Sequence, residues 1–288
     1  MKATSPREML AKYGLAPLRG LGQHFLSDPN VAAKVADAVG ASAGDVVLEI
    51  GPGFGAITLL LAERAGRVVA VEFDEGIAAA FAEEYGEPAR LRLVVGDFLS
   101  FDIGGAVREE GVSDLLVAGN LPYNVTSPVL RRLIEHRAVV RRAVLMVQDE
   151  VGKRLVARPG GSDYSALSVV CQYHAAVRSL FGVRRTCFHP RPAVDSRVVE
   201  LDLRAGPARA ADDELFARVV HAAFGKRRKM LRGSLRDLAA ARGVPVGGLA
   251  EESGIDLSRR AESLSVPEFE ALALALDRGE PGREEEPS

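Results

Sequence analysis

The sequence predicts an α/β protein in which a Rossmann-like parallel sheet is followed by a small all-helical C-terminal domain. Up to residue 204, short apolar runs rich in β-branched residues alternate with helical segments, which is the pattern of βαβ units. These runs are apolar on both faces, as buried parallel strands are. Beyond residue 204 only helical periodicity remains. We therefore divide the chain into a sheet-containing domain (1–204), a helical domain (205–277) and a disordered tail (278–288).

The predicted elements follow one another in a regular order. Strands are predicted at 45–50, 67–73, 91–95, 114–118, 143–148, 176–183 and 197–203. Helices are predicted between them at 57–65, 75–85, 149–157 and 164–174. In the C-terminal domain, helices are predicted at 213–224, 229–241, 246–251 and 267–277.

The composition is that of an ordinary globular protein, with 47% hydrophobic and 26% charged residues. No apolar run approaches the ~20 residues that a membrane helix needs, and the first eight residues lack the apolar core of a signal peptide. The two cysteines have no metal-binding spacing, which indicates reduced thiols. We expect a cytoplasmic protein with no metal site and no membrane partner.

The formal net charge is only −2, but the positive charges are unevenly distributed. Five of them lie close together at the start of the predicted C-terminal domain, and this arrangement is typical of a nucleic-acid-binding face. A solvated cationic helix face is the alternative interpretation. The predicted RNA-binding residues are Lys226, Arg227, Arg228, Lys229 and Arg232.

A glycine-rich turn follows the first predicted strand. Gly51 and Gly53 allow a tight turn and the close approach of a ligand to the backbone. Glu72 ends the second strand, where a carboxylate can accept from both hydroxyls of a ribose. Nicotinamide enzymes share this pattern. Glu49, however, lies just before the glycines, where its negative charge would repel a bound pyrophosphate. This position of Glu49 favours S-adenosylmethionine as the cofactor.

The third strand ends in Asp97 and Phe98. The carboxylate of Asp97 is suited to accept from the amine of an adenine, and the ring of Phe98 is suited to flank the adenine ring. Glu72 and Asp97 could each be helix N-caps instead. Because the carboxyl ends of successive parallel strands meet at one edge of a sheet, a shared site is the better interpretation.

The fourth strand runs into Asn120, Leu121, Pro122 and Tyr123. The amide and nearby carbonyls can accept from the amino group of a flat base, and the tyrosine ring can stack on it. Tetrapeptides of this type are typical of methyltransferases that act on the amino group of adenine. A Pro-containing turn at the end of a strand is the alternative.

In these motifs and their order the chain resembles the KsgA/RsmA family of ribosomal RNA adenine dimethyltransferases. The resemblance spans roughly residues 20 to 270. The matching segments are 22–26, 49–58, 72–74, 96–97, 120–128, 148–155, 188–196 and 227–229.

The resemblance implies a class I S-adenosylmethionine-dependent methyltransferase sheet with a helical C-terminal domain. It implies that His24 and Leu26 contact the cofactor, although the family more often has Asn at position 24. Phe73 stands where the family more often has an aliphatic residue, and it joins the expected cofactor site. Phe188 is implied as a second wall of the base pocket, with a core aromatic as the alternative. The expected cofactor residues are His24, Leu26, Gly51, Gly53, Glu72, Phe73, Asp97, Phe98 and Asn120.

The activity implied by the resemblance is N6,N6-dimethylation of two adjacent adenosines near the 3′ end of 16S rRNA. The expected partner is that RNA in the immature 30S ribosomal subunit, and the expected state is a monomer. Three alternatives stay open: a 23S rRNA adenine methyltransferase of the antibiotic-resistance type, a mainly non-catalytic ribosome-assembly factor, and a nicotinamide oxidoreductase.

Overall fold

The computed structural model describes residues 3–18, 22–86, 88–206, 210–226 and 229–278. These residues form two compact units. The sheet unit contains the described residues up to 152 together with 175–205, and the helical unit contains 153–174 together with the described residues from 206 onward.

All strands of the described residues belong to the sheet unit. They are β1 (Phe25–Leu26), β2 (Val46–Ile50), β3 (Arg67–Glu72), β4 (Leu91–Val95), β5 (Leu115–Asn120), β6 (Val140–Gln148), β7 (Ala176–Val183), β8 (Phe188–His189) and β9 (Ser196–Asp202).

Seven of these strands form one sheet in the order β4-β3-β2-β5-β6-β9-β7. The strands from β4 to β6 are parallel, and β9 is antiparallel to both of its neighbours. Ile50 lies opposite Val71 on one side and Gly119 on the other, and Glu72 lies opposite Val95. The carboxyl ends of β2, β3, β4 and β5 therefore meet at one edge, and the predicted α/β fold class is confirmed.

The helices alternate with the strands and then continue alone. They are α1 (Pro6–Lys12), α2 (Pro29–Val39), α3 (Thr58–Arg64), α4 (Glu75–Tyr85), α5 (Ile103–Glu110), α6 (Thr126–Glu135), α7 (Asp149–Leu155), α8 (Ala166–His174), α9 (Asp213–Gly225), α10 (Leu231–Ser234), α11 (Arg236–Ala241), α12 (Val246–Ser253) and α13 (Val266–Arg278).

The helix α1 is fastened to α4 through one carboxylate. Glu84 accepts hydrogen bonds from the hydroxyl of Thr4 at 2.8 Å and from the hydroxyl of Tyr13 at 3.0 Å, and it forms an ion pair with Lys12. The hydroxyl of Tyr85 accepts from the backbone N–H of Thr4 at 2.8 Å. These contacts hold the N-terminal segment against α4.

The helical unit begins earlier in the chain than the predicted boundary at residue 205. Its core contains Tyr164, Val169 and Tyr173 together with residues of α9 and α13. The ring of Tyr173 stacks on that of Phe216 with 3.6 Å between centroids. Segment 153–174 follows a strand in sequence, but its apolar side chains are buried in the helical core. The predicted tail, apart from Arg278, lies outside the described residues.

We expect Phe216→Ala to lower the free energy of unfolding of the helical unit by about 3–5 kcal/mol, because it removes a fully buried ring and leaves a cavity. Denaturant titration followed by circular dichroism measures the loss. Phe216→Leu keeps most of the volume and is the matched control, with a smaller expected loss. A loss below 1 kcal/mol for the alanine variant would contradict this packing.

Candidate active site

The glycine turn after β2 has the tight backbone conformation that its glycines predicted. Gly51 and Gly53 have φ angles of 65° and 56°, in the left-handed region that glycine adopts without strain. A Cβ on Gly53 would lie 3.1 Å from the ring of Phe25. The backbone N–H of Gly53 donates to Glu72 at 3.0 Å. The turn therefore brings the ends of β2 and β3 together.

Glu72 is only 6% exposed at the end of β3. One carboxylate oxygen accepts from Gly53 N–H and the other from Asp74 N–H, each at 3.0 Å. Burial raises the pKa of Glu72, and these backbone hydrogen bonds oppose the rise. Each oxygen of a carboxylate has two acceptor positions, so one on each remains for a ligand. This arrangement fits a ribose with two adjacent hydroxyls.

The predicted adenine-binding residues lie at the neighbouring strand ends. Asp97 is exposed, and one of its oxygens accepts from Leu99 N–H at 2.8 Å, which leaves the other oxygen available. Phe73 is 58% exposed, whereas Phe98 is buried. The backbone N–H of Gly96 donates to the carbonyl of Glu72 at 2.8 Å, so the two strand ends are in direct contact.

Asn120 is the last residue of β5, and its side-chain orientation is fixed. The Nδ2 atom donates to the carbonyl oxygen of His24 at 2.8 Å. The Oδ1 atom must then face the other way, where it can accept a hydrogen bond. Leu121 continues the strand by donating its N–H to Met146 at 3.0 Å. The amide is therefore held as an acceptor at the edge of the sheet.

Tyr123 is half-buried beside this amide. Its hydroxyl lies 3.2 Å from the hydroxyl of Ser196, and its ring centroid lies 5.7 Å from that of His24. Burial raises the pKa of Tyr123, so the phenol is neutral at physiological pH. A neutral, oriented ring is suited to stacking on a base.

Two cavities open on these residues. The smaller has a volume of about 70 Å³, and the predicted site residues that line it are His24, Gly51, Gly53, Glu72, Asn120, Leu121, Pro122 and Tyr123. The larger has a volume of about 570 Å³, and its predicted site residues are Leu26, Gly51, Gly53 and Asn120. Phe73, Asp97, Phe98 and Phe188 line neither cavity. Asn120 and the glycine turn belong to both cavities.

Strand pairing between β1 and β8 brings two distant segments to this site. Leu26 lies opposite Phe188, and Phe25 lies opposite His189. The Nδ1 atom of His24 lies 2.9 Å from the carbonyl oxygen of Pro190. Ser196 and the Pro190 carbonyl were not predicted as neighbours of the site, because two-residue strands leave no periodic signal in a sequence.

The structure does not place Phe188 on the wall of a base pocket. Its side chain is 5% exposed and belongs to the apolar cluster that contains Leu26, Val183 and Val198. The alternative interpretation, a core aromatic beside a loop, describes these surroundings. The physical reason is the pairing with Leu26, which directs Phe188 into the core.

Glu49 is the most deeply buried acid of the site, at 2% exposure, and it is the last but one residue of β2. Burial raises its pKa to about 8, and the nearby carboxylate of Glu72 contributes to the rise. Its Oε2 atom has no hydrogen-bond partner among the described residues, and the residue lines the larger cavity.

The predicted basic face is not carried by one helix. Lys226 is the C-cap of α9, Lys229 lies in a bend, and Arg232 belongs to the separate helix α10. Met230 has an extended backbone and precedes α10. The helix predicted at 229–241 is in fact α10 followed by α11, and the two are separated at Leu235. Lys226, Lys229 and Arg232 are exposed, and Lys226 pairs with Asp237 at 3.2 Å. Arg227 and Arg228 lie outside the described residues.

No helix in the described part of the chain is long and apolar enough to cross a membrane. Within the same residues, no group of three or more His, Cys, Asp or Glu side chains is arranged to hold a metal ion.

Comparisons with known proteins all point to ribosomal RNA methyltransferases. Residues 19–273 match the family described as Ribosomal RNA adenine dimethylase. A protein of Moorella thermoacetica named Ribosomal RNA small subunit methyltransferase A is 42% identical, over 93% of this chain and 95% of the relative. A protein of the same name from Pelotomaculum thermopropionicum is 43% identical, over 95% of this chain and 96% of the relative.

Two solved structures are similar over most of their length. A dimethyladenosine transferase from Plasmodium falciparum has a TM-score of 0.74 at 23% identity, over 89% of this chain and 98% of that one. The 23S rRNA methyltransferase ErmE has a TM-score of 0.66 at 26% identity, over 88% of this chain and 99% of that one. The first of these supports the fold alone.

We expect Glu49→Gln to stabilise the ligand-free protein increasingly as the pH rises. The pKa of Glu49 is raised from 4.5 to about 8, so between these values the folded state keeps a proton that the unfolded chain releases. The wild type therefore loses stability as the pH rises through this window, and the glutamine variant does not have this loss.

Thermal unfolding of both proteins between about pH 5 and 8 measures this difference. Glu83→Gln, at an exposed position of α4, controls for the loss of one carboxyl group. Parallel stability curves for wild type and Glu49→Gln would show that Glu49 is not buried in the protonated form.

Proposed function

Since the chain belongs to the ribosomal RNA adenine dimethylase family, we propose that it dimethylates two adjacent adenosines near the 3′ end of 16S rRNA in the small ribosomal subunit. The two bacterial relatives at 42% and 43% identity carry the small-subunit name over nearly their whole length. The structural relative that acts on 23S rRNA is only 26% identical. The choice of the small subunit rests on this difference.

The observation that carries the chemistry is the fixed amide of Asn120, whose Nδ2 donates to His24. Its Oδ1 is thereby an acceptor for one hydrogen of an adenine N6 amine. The carbonyl of Leu121 or Pro122 would accept the second hydrogen, and the ring of Tyr123 would stack on the flipped base. The base pocket assigned in this way is formed by Asn120, Leu121, Pro122 and Tyr123.

The task of these acceptors follows from the electronic structure of adenine. The N6 lone pair is delocalised into the ring, which makes the amine a poor nucleophile. Two acceptors on the N6 hydrogens favour a pyramidal nitrogen, and this localises the lone pair. Because the attacking amine is neutral, no strong general base is needed, and the product loses its proton afterwards. Fixed acceptors that match this geometry stabilise the transition state without reorganisation.

The methyl donor is S-adenosylmethionine, which supplies an electrophilic methyl group on a sulfonium. We assign its ribose hydroxyls to Glu72, which keeps a free acceptor position on each oxygen. Asp97 would accept from its adenine amine, with Phe73 and Phe98 beside the ring. His24, Leu26, Gly51, Gly53 and Asn120 would contact the rest of the cofactor, and they line the two cavities.

We assign RNA binding to the exposed cations of the helical unit. Lys226, Lys229 and Arg232 would contact phosphates, and Arg227 and Arg228 extend the same run in the sequence. The sheet unit also carries a group of arginines, each of which is hydrogen-bonded to a neighbouring group: Arg131, Arg132, Arg137, Arg141 and Arg142. Arg132 and Arg142 donate to the carbonyls of Phe101 and Val39. We also propose a cytoplasmic location and action as a monomer.

Asn120→Ala should abolish methyl transfer while S-adenosylhomocysteine binding is reduced but retained. The variant removes the acceptor for N6 but leaves Glu72 and the glycine turn in place. Methyl incorporation into RNA and calorimetric binding measure the two effects separately. Asn124→Ala is the matched control, because Asn124 is an exposed residue of the same type in the same loop. Full activity of Asn120→Ala would exclude the assignment.

The substrate can be identified with ribosomal particles from a strain that lacks these modifications. Both subunits would be incubated with the protein and labelled cofactor, and the RNA analysed by mass spectrometry. We expect dimethyladenosine in 16S rRNA and none in 23S rRNA. Modification of 23S rRNA alone would instead show that this protein is a 23S rRNA methyltransferase, like the structural relative ErmE.

Replacing Lys229 and Arg232 together by Gln should weaken RNA binding and lower the salt dependence of affinity. Each lost phosphate contact reduces the slope of log K against log salt concentration by about one. Fluorescence anisotropy at several salt concentrations measures the slope. Arg108→Gln, an exposed arginine paired with Asp102, is the control. An unchanged slope in the double variant would show that RNA binds elsewhere.

A further inference from the structure

The N-terminal segment that leads into α1 lies against the larger of the two cavities. This cavity of about 570 Å³ is also lined by Gly51 and Asn120, which are assigned to the cofactor. The lining residues from the N-terminal segment are Ala3, Thr4, Ser5, Pro6 and Glu8. They precede the part of the chain that matches the family, which begins at residue 19. None of them belongs to the base pocket or to the assigned cofactor residues.

The first turn of α1 is shaped by its own hydrogen bonds. Ser5 is the N-cap, and its hydroxyl accepts from the backbone N–H of Glu8 at 3.3 Å. The carboxylate of Glu8 accepts in return from the backbone N–H of Ser5 at 3.2 Å. Pro6 follows the cap at a position where a helix needs no N–H donor. This capping box fixes the conformation of the turn that faces the cavity.

Two polar side chains of α4 hold the segment in place. Glu84 accepts from the hydroxyl of Thr4 at 2.8 Å and forms an ion pair with Lys12. The hydroxyl of Tyr85 accepts from Thr4 N–H at 2.8 Å and donates to the carbonyl oxygen of Phe54 at 3.3 Å. Since Phe54 belongs to the glycine turn after β2, a chain of hydrogen bonds connects the N-terminal segment to that turn.

Apolar packing adds to this attachment. Met9 and Leu10 are buried in a small cluster that includes Phe54. Its other buried members are Phe25, Ile77 and Ala80. The helix α1 has only seven residues, and an isolated helix shorter than about 12 residues is marginal in water. It therefore depends on these contacts, and we expect it to unfold when it detaches.

We propose that α1 is a lid on the cofactor cavity, and that S-adenosylmethionine enters and leaves when α1 detaches from α4. This inference rests on the proposed function. In the docked state, the residues at the start of α1 form one wall of the cavity. Because detachment unfolds the helix, the lid has two discrete states, and the contacts of Glu84 favour the closed one. Weakening these contacts increases the open fraction, which speeds both binding and release.

Glu84→Ala removes the common partner of Thr4, Lys12 and Tyr13. Surface plasmon resonance with S-adenosylhomocysteine gives the association and dissociation rate constants separately. We expect both to rise by about fivefold, the effect of losing a partly exposed group of hydrogen bonds to a charge. Glu83→Ala removes an exposed acid from the same helix and is the matched control, with unchanged rates.

Thr4→Val is a second variant that leaves α4 intact. It removes one hydrogen bond to Glu84 and keeps the shape of the side chain. We expect a smaller rise of the same two rate constants, about twofold. Circular dichroism of each variant shows whether the rest of the fold is retained.

Limited proteolysis measures the detachment itself. Trypsin cleaves after Lys and Arg, and α1 contains Arg7 and Lys12. A docked helix resists cleavage, so the rate reports the open fraction. We expect S-adenosylhomocysteine to slow cleavage at both positions in the wild type. Without ligand, Glu84→Ala should be cleaved about fivefold faster than Glu83→Ala.

Unchanged rate constants in Glu84→Ala and Thr4→Val would overturn the proposal. Faster release with unchanged association would also overturn it, because α1 would then be a fixed wall that contacts the ligand. Cleavage of α1 that is insensitive to S-adenosylhomocysteine would exclude a lid that closes over the bound cofactor. Failure of the wild type to bind S-adenosylhomocysteine at all would instead refute the proposed function.

Discussion

The side-chain amide of Asn120 donates to the carbonyl oxygen of His24, and the positions of both groups depend on strand pairing. Asn120 is placed by β5, which runs parallel to β2 and β6. His24 directly precedes β1, which pairs with β8, a strand that is distant in the sequence. If either pairing shifted by one residue, the amide would lose its acceptor, the carbonyl of His24, and its oxygen would no longer have a fixed direction.

Two buried acids beside this amide, Glu72 and Glu49, differ in their hydrogen-bond partners. Glu72 receives two backbone N–H groups, and these favour its ionised form and orient it as an acceptor. Glu49 has an oxygen without such a donor, and burial dominates its pKa. The difference follows from position: Glu72 lies at the end of its strand, next to free turn amides, whereas the amides around Glu49 are used within the sheet. Glu72 is therefore oriented as an acceptor, whereas burial favours the protonated form of Glu49.

The sequence predicted those parts of the structure that depend on local periodicity and on the geometry of parallel strands. Glu72, Asp97 and Asn120 could be assigned to one edge because each follows an apolar run. The sequence could not predict that 153–174 packs in the helical unit, since that depends on contacts such as Tyr173 with Phe216. The division of the predicted helix at Leu235 was missed for the same reason, and the burial of Phe188 could be stated only as one of two interpretations. Tertiary partners determine both features, and helical or loop periodicity carries no information about them.

The orientation of Asn120 is tested most directly by a crystal structure of the protein with S-adenosylhomocysteine and adenosine. We expect the N6 atom of adenosine to lie at about 3 Å from Oδ1 of Asn120, a normal hydrogen-bond distance. Nδ2 should still donate to His24, and the ring of Tyr123 should stack on the base. An adenosine whose N6 contacts neither Asn120 nor the carbonyls that follow it would show that this amide does not bind the target base.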